Sequence, residues 1–277
     1  MHTVKFQLTQ ISVLAIFLLI LHQILPCMLS KNKKKLITSL SHKKFRDETS
    51  LFIAEGTKLV ADLATGFHCE LLVISTGKES ICKEIIADEK VVVDDDILTK
   101  LSTQKSPQGI LGVFRKKKLV IPSQQELANQ LVLALDDIQD PGNLGTIIRL
   151  ADWFGIENIF CSGLTADAYG PKVVQATMGA LARVNLHYVN LPAFLSEMKN
   201  IPIYGTFLDG RNIYSEKLSK NGIIVMGNEG NGISPEIEKL VTNKLLIPNF
   251  PANASGSESL NVAVATAIVC SEFRRNL

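Results

Sequence analysis

Cysteine is scarce and scattered in this chain, with five in 277 residues, at positions 27, 69, 82, 161 and 270. The number is odd, no pair forms C-x-x-C, and no histidine stands at ligand spacing from a cysteine. This excludes a zinc module and a disulfide framework. It fits a reducing compartment, here the cytoplasm. No metal is expected. The five histidines (2, 22, 42, 68 and 187) are dispersed without an H-E-x-x-H, and His187, in a strand pattern, reads as structural. There is no G-x-S-x-G, so a hydrolase of the nucleophile-elbow type lacks its turn. There is no G-x-x-x-x-G-K-[ST], so a nucleoside triphosphate lacks its phosphate loop. Low-complexity tracts are absent too. At 46% hydrophobic and 20% charged residues, a chain of this length builds a core without covalent or metal staples.

Net charge is small, +2, which excludes a histone-like polycation. The charge is nevertheless uneven. No acidic residue precedes Asp47, while Lys31, Lys33, Lys34, Lys35, Lys43, Lys44 and Arg46 fall close together. Arg115, Lys116, Lys117 and Lys118 form a second cluster. Such clusters attract phosphate backbones through counterion release; the plain alternative is a solvated face. Lys33, Lys34, Lys35, Lys43, Lys44, Arg46 and Arg115 are therefore the expected contacts to a nucleic-acid backbone.

Residues 11–21 form an apolar run preceded by Lys5. A signal peptide has this kind of charged start and apolar middle. A membrane anchor needs about 20 apolar residues, and His22-Gln23 cuts the run short. The third reading is a start assigned too early, with Met28 as the true first residue. The last is the expectation, since Met28 opens a basic amphipathic helix pattern. Residues 1–27 are then no part of the fold, and no stable membrane partner is expected.

From 28 to 118 short strand and helix patterns alternate. LFIAEG, ELLVIS, KVVVDD and GILGVFRK read as strands; Thr57–Thr65 and KESICKEIIA read as helices. Such alternation predicts a small sheet covered by helices. The pattern breaks in KKKLVIPSQQELANQ, and residues 119–130 are taken as a linker. From 131 to 277 the alternation resumes. LVLALDD, IENIFCS, LHYVNL, IPIYGTFL, GIIVMG and KLLIPN read as strands. Asn143–Phe154, Pro171–Leu181, a helix capped by Ser234, and Leu260–Arg274 read as helices. This predicts an α/β domain with a mostly parallel sheet and helices on both faces.

Three segments lie just past strand ends, where ligands bind in open α/β sheets. The first is Asp140-Pro141-Gly142-Asn143-Leu144-Gly145, a turn opening a helix that carries Arg149. Asn143 is placed to cap that helix. Arg149 interrupts an apolar pattern, where a charge needs a partner or a ligand. The second is GNEGNG after GIIVM, whose glycines let backbone approach a ligand closely; a tight turn explains them but not Glu229. The third is Ile247-Pro248 followed by Ser257-Glu258-Ser259-Leu260-Asn261, where helix capping is the plain reading of Ser259 and Asn261.

In this order, DPGNLGTIIRLADWFGI, IIVMGNEGNGIS and LLIPN…SESLNVAVATAIV resemble the three motifs of the SpoU (TrmH-type) branch of the SPOUT RNA methyltransferases. The resemblance covers residues 131–275. FIAEG and SPQGILGVFRK look more loosely like the family's N-terminal substrate-binding domain, related in fold to ribosomal RNA-binding proteins. The resemblance implies a sheet closed by a trefoil knot, a feature otherwise nearly absent from proteins. It implies S-adenosylmethionine as cofactor, bound around Thr206 (in a strand-end loop), Gly227, Ile247 and Leu260. It assigns Asn143, Arg149, Glu229, Ser259 and Asn261 to the catalytic and structural set, and it implies a homodimer.

The implied reaction is methyl transfer to a ribose 2′-hydroxyl of structured RNA, since S-L-N and N-x-G-x-x-x-R are the pattern of the ribose-methylating branch rather than of base methylation. A guanidinium, with a pKa above ~12, is a poor proton acceptor. Arg149 is therefore expected to clamp phosphate and stabilise the developing alkoxide, held by Glu229 and Asn143. The N-terminal domain points to ribosomal RNA over tRNA. The alternatives are a tRNA ribose methyltransferase, or an inactive RNA-binding assembly protein of the same fold.

Overall fold

The computed structural model describes residues 29–251 and 259–275. The expectations for residues 1–27 lie outside the described residues. No helix among the described residues is long and apolar enough to cross a membrane.

The chain begins with α1 (Lys31–Ser39) and α2 (Lys43–Thr49). Next come β1 (Leu51–Glu55), α3 (Thr57–Ala64), β2 (Cys69–Ser75), β3 (Glu89–Val93), α4 (Asp95–Leu101) and β4 (Ile110–Arg115). The four strands form one mixed sheet in the order β1-β4-β2-β3, with β2 and β3 parallel and the other pairs antiparallel. Successive strand residues point to opposite faces. Ile53 packs with Ile37, Leu40 and Leu98, while Phe52 and Ala54 pack with Leu63, Phe67 and Phe114. Of the helix expected over KESICKEIIA, only a single 3₁₀ turn forms, Glu79–Cys82. Cys82 and Ile85 are buried there while Ile81 and Ile86 face outward, and so narrow an apolar stripe does not offset the cost of a longer helix.

Past β4 the chain carries a short helix, α5 (Gln124–Leu127), where irregular chain was expected. Its start is a capping box: the Ser123 hydroxyl accepts from the Glu126 N–H at 3.4 Å, and the Glu126 carboxylate accepts from the Ser123 N–H at 2.7 Å. Leu127 then plugs the core.

The second sheet is built from β5 (Leu131–Leu135), β6 (Asn158–Cys161), β7 (Asn185–Tyr188), β8 (Ile203–Asn212), β9 (Gly222–Met226) and β10 (Asn243–Leu246). All its pairs are parallel, in the order β10-β8-β9-β5-β6-β7. The helices are α6 (Pro141–Trp153), α7 (Pro171–Thr177), α8 (Leu191–Glu197), α9 (Pro235–Glu238) and α10 (Val262–Arg274). α6 buries Leu144, Ile147, Ile148 and Ala151, the four apolar positions its periodicity marks. Gly145 is required where α6 meets α7, because a Cβ there would lie 2.4 Å from the Ala176 Cβ. α7 ends at Thr177, short of the expected Leu181, where Met178 and Gly179 turn left-handed. At α9 Ser234 occupies the cap position without a side-chain bond; its backbone N–H donates to Asp136 instead. His187 is buried, stacked on Phe160 and bonded to Asn158 at 3.0 Å, and burial holds its imidazole below the usual value. The chain path from β10 to α10, through which the expected knot would close, runs through 252–258, outside the described residues.

The two sheets share one core. A single apolar cluster runs from Phe52 and Phe114 through Leu133 and Ile147 to Phe273. Polar contacts lock the same junction. Arg46 is only 4% exposed. Its Nη2 and Nε donate to Asp167 Oδ2 at 2.6 and 3.0 Å, and its Nη1 donates to the carbonyls of Leu40 and Ser41. This corrects the expectation that Arg46 meets RNA: the residue is spent inside the protein. Lys116 bonds Asp47 and lies over the Tyr169 ring. Lys117 donates to the Ala182 carbonyl at 2.7 Å and lies over the Phe67 ring. Half of the second basic cluster is thus packing, not phosphate binding. Arg115 pairs with Glu70 and Lys33 with Glu89, so neither is a free cation, whereas Lys43 stays exposed and Lys44, also exposed, makes only a long 3.9 Å pair with Glu48.

Because Arg46 and Asp167 satisfy each other away from water, removing one strands the other. Arg46→Ala is expected to lower unfolding free energy by roughly 3–5 kcal/mol, read by urea denaturation. A loss below about 1 kcal/mol would show that the pair does not fasten the junction.

Candidate active site

In the second sheet the chain winds outward in two directions from the β5–β9 boundary. The loops after those two strands therefore diverge, and a crevice opens at their carboxyl ends, the usual ligand position in such sheets. The loop after β5 is held by buried polar groups. Asp136, 5% exposed, accepts from the Ser234 N–H at 2.7 Å. Asp137 is left-handed, with φ 59; its N–H donates to the Ser162 hydroxyl at 2.8 Å.

The loop after β9 is a tight hairpin. Asn228 and Gly232 exchange both backbone hydrogen bonds at 2.9 Å. The Asn228 side-chain oxygen accepts from the N–H groups of Gly230 and Asn231, and its Nδ2 donates to the Asp137 carbonyl at 2.8 Å. Asn228 therefore ties the two loops together. A Cβ on Gly227 would fall 2.3 Å from Gly232, so the glycine is needed for the hairpin to close. Glu229 stands exposed at its tip.

Asn143 does not cap α6, contrary to expectation. The helix starts earlier, with Asp140 as cap and Pro141 in the first turn; the Asp140 carboxylate accepts from the Asn143 N–H at 2.8 Å. The Asn143 side chain is thereby free for the crevice. Its Nδ2 donates to Glu229 Oε1 at 2.8 Å, and its Oδ1 accepts from Asn261 Nδ2 at 2.9 Å. Asn261 in turn caps α10, accepting from the N–H groups of Ala263 and Val264. α10 begins at Val262 rather than Leu260 for this reason. Three motif segments far apart in the chain meet in one line of side-chain hydrogen bonds.

Other expected residues are placed differently. Arg149 lies exposed on the outer face of α6, with no hydrogen bond or ion pair among the described residues. It is not held by Glu229 and Asn143, as was expected. Its helical spacing from Thr146 and Trp153 aligns the three on one face. Ser259 is exposed and makes no side-chain hydrogen bond among the described residues. Thr206 lies inside β8, not in a loop beyond it. Yet the β8–β10 register jumps from Gly205 to Arg211, so residues 206–210 bulge out of the ladder, and Thr206 sits where it opens. Gly227 directly follows β9, Ile247 directly follows β10, and Leu260 precedes the cap of α10. The strand order β10-β8-β9 makes the three strand ends neighbours. The bonding roles of Asp136, Asp140 and Asn228 were missed in the sequence. Asn228 carried a usable signal, since asparagine between glycines is a residue type that bonds its own turn.

A parallel sheet with this order, closed by a C-terminal helix beside the crevice, defines the α/β RNA methyltransferase fold. A solved TrmH-family structure from Porphyromonas gingivalis superposes with a TM-score of 0.82 at 40% identity, covering 91% of this chain and 100% of that one. Residues 130–271 match the SpoU rRNA Methylase family, and residues 31–112 match the MRM3-like substrate binding domain. The chain belongs to the SpoU rRNA methylase family. It is 31% identical to the 23S rRNA (guanosine(2553)-2'-O)-methyltransferase RlmP of Bacillus subtilis, over 88% of this chain and 95% of that protein. It is also similar to an AdoMet-bound rRNA methyltransferase from Sinorhizobium meliloti, at 30% identity and a TM-score of 0.76, covering 90% of this chain and 96% of that one. Its cofactor is accordingly S-adenosylmethionine.

Asn261 performs two tasks that a single atom change separates. Asn261→Asp keeps the cap acceptor and loses the donor to Asn143. It should retain stability within a few tenths of a kcal/mol while losing methyl transfer. Asn261→Ala should in addition lower stability by about 1–2 kcal/mol. Thermal unfolding and transfer of labelled methyl, measured on both variants, decide the matter; an active aspartate variant would remove Asn143 alignment from the reaction.

Proposed function

We propose that this protein methylates a ribose 2′-hydroxyl of ribosomal RNA, working as a homodimer. The observation that carries the reading is the Asn261–Asn143–Glu229 line at the sheet's switch point. The relatives named for 23S rRNA ribose methylation and the substrate-binding match at residues 31–112 support ribosomal RNA.

The hollow around the strand ends fits the cofactor. Thr206, Gly227 and Ile247 are half-buried, Ile247 leans on the core, and the bare Gly227 lets the hairpin close directly at the end of β9. S-adenosylmethionine supplies an electrophilic methyl group there. The residues of this chain do the rest by positioning and electrostatics. Asn143, with both ends of its amide engaged, is held to orient the ribose. Arg149, free of internal partners among the described residues, is available for a phosphate and for the negative charge that grows on the attacking oxygen. Glu229 fixes Asn143 and closes the crevice from the β9 side.

Arg149→Ala should reduce methylation of 23S rRNA at least a hundredfold and leave S-adenosylmethionine affinity within a factor of two, by scintillation counting and calorimetry. Full activity would end the assignment. Absence of cofactor binding by the wild-type protein at millimolar concentration would favour an inactive RNA-binding protein. Ribose-methylation mapping of rRNA and tRNA from a deletion strain identifies the nucleotide.

For the dimer, the support is an uncovered face. Trp153 is 84% exposed at the end of α6. At the opposite end of the α6–α10 pair, by the start of α10, Val264 and the preceding Leu260 are each about half exposed. α6 and α10 lie side by side in parallel, joined by Asn143–Asn261 at one end and by Arg274 to the Phe154 carbonyl at the other. Large apolar side chains left exposed along two packed helices fit an interface. Light scattering should give twice the chain mass, and Trp153→Glu should return it to one chain; a monomeric wild type would overturn the proposal.

A further inference from the structure

The two units enclose a cleft of about 790 Å³ between β1 and α7. Its walls are mainly apolar, with Ile53 and Ala54 on one side and Pro171 and Val174 on the other. Arg46 and Asp167 also line it, already neutralised by each other. Volume and lining match sites that take organic ligands, ~300–1,000 Å³ with few polar groups. None of Thr206, Gly227, Ile247 or Leu260 lines it, so it is separate from the cofactor hollow. Yet one of its edges is Pro141, two residues before Asn143 and so at most about 7 Å of chain away.

Its polar groups are arranged for recognition. Gln104 Nε2 donates to Gln175 Oε1 at 2.8 Å, joining one unit to the other across the cleft. Gln104 Nε2 also donates to the Glu55 carbonyl at 3.4 Å, which fixes its amide, and the pairing then leaves the Gln104 carbonyl oxygen and the Gln175 N–H pair with no side-chain partner among the described residues. An acceptor beside a donor complements the hydrogen-bonding edge of a nucleobase. The loop carrying Gln104 is anchored from below. Glu55, 4% exposed, accepts from the N–H and hydroxyl of Thr103 at 2.8 and 2.7 Å and from the Ser102 hydroxyl. That accounts for a buried carboxylate in the FIAEG strand, which the methyl-transfer site does not use.

The mouth of the cleft is also built deliberately. Met178 holds a left-handed backbone, φ 50, and is half exposed. Gly179 follows at φ 92, and a Cβ there would also strike the Asp62 side chain of α3 at 2.5 Å, so only glycine fits where the two units meet. Met178, at the turn just before it, lines the rim. A thioether is a good surface for an aromatic ring, and strain of this kind collects at ligand sites. Lys172, exposed and unpaired among the described residues, adds a cation beside it.

We propose that this cleft is a nucleobase pocket, taking an unstacked base of the substrate RNA within one nucleotide of the methylated ribose. Gln104 and Gln175 pair with the base edge, Met178 and the proline walls cover its faces, and Lys172 meets the adjoining phosphate. The proposal rests on the RNA ribose-methylation reading above. Single-stranded bases are what proteins read in RNA, by stacking and edge hydrogen bonds, and an apolar slot with one donor–acceptor pair supplies both.

The test uses the whole protein with S-adenosylmethionine and unmodified 23S rRNA transcribed with 4-thiouridine or 6-thioguanosine. After irradiation, cross-linked peptides are mapped. Cross-links within residues 102–108 and 171–178 are expected. Cross-links confined to α1, α2 and the loops around Asn143 would overturn the pocket. In parallel, Gln175→Ala, which removes one exposed amide, and the Gln104→Ala/Gln175→Ala pair are compared with wild type. The KM for the RNA should rise about tenfold in the double variant, with S-adenosylmethionine affinity and melting temperature unchanged. An unchanged KM would overturn the proposal as well. Should the wild type transfer no methyl to rRNA, the ribosomal reading fails by itself, and the cross-link map still decides whether the cleft holds a base.

Discussion

The Asn143 amide is gripped at both ends, by Asn261 from the start of α10 and by Glu229 from the hairpin after β9. An amide with both its donor and its acceptor committed cannot rotate without breaking a hydrogen bond, so its direction is set before any substrate arrives. The grip needs three chain segments in place at once. Asp140 and Pro141 must start α6 early enough to release Asn143 from capping. Gly227 and Asn228 must fold the hairpin so that Glu229 reaches back. Asn261 must cap α10 with its oxygen so that its nitrogen points the other way. A site of this kind is preorganised by the helix ends and turns that build the fold, and electrostatic positioning gains most from groups that need not reorganise.

Much of the second unit was legible in the amino-acid pattern. Short Val/Ile/Leu runs such as LVLAL and GIIVM, bounded by turn residues, read as strands buried on both faces, and the spacing of Leu144, Ile147, Ile148 and Ala151 gave the inner face of α6. The motif residues Asn143, Glu229 and Asn261 were visible as a set through family resemblance. Their mutual bonding was not visible, because hydrogen bonds across 86 and 118 residues of chain leave no trace in local spacing.

The misreadings share a cause. Asn143 was assigned to the cap because a short polar side chain precedes an apolar run, but Asp140 three residues earlier wins that position and brings proline with it. Arg46 was counted with its lysine neighbours because charge clusters are read along the chain; its partner, Asp167, lies 121 residues away. Arg149 was thought to interrupt an apolar face, whereas one turn of geometry puts it on the outer side. Thr206 sits in a bulge that register alone defines. Local pattern reports periodicity and composition, and it is blind to which long-range partner satisfies a polar group.

The shared core and the Arg46–Asp167 lock bear on how substrates are measured. The first unit is often imagined in two-part enzymes as an arm that swings to meet its cargo. Here its sheet face and α7 are continuous in packing and fastened by Arg46–Asp167, so the position of its outer lysines is tied to that of Asn143. Such packing works as a gauge. An RNA whose own shape spans the gap is met without opening the shared core, and one that does not fit must itself bend or force that core apart.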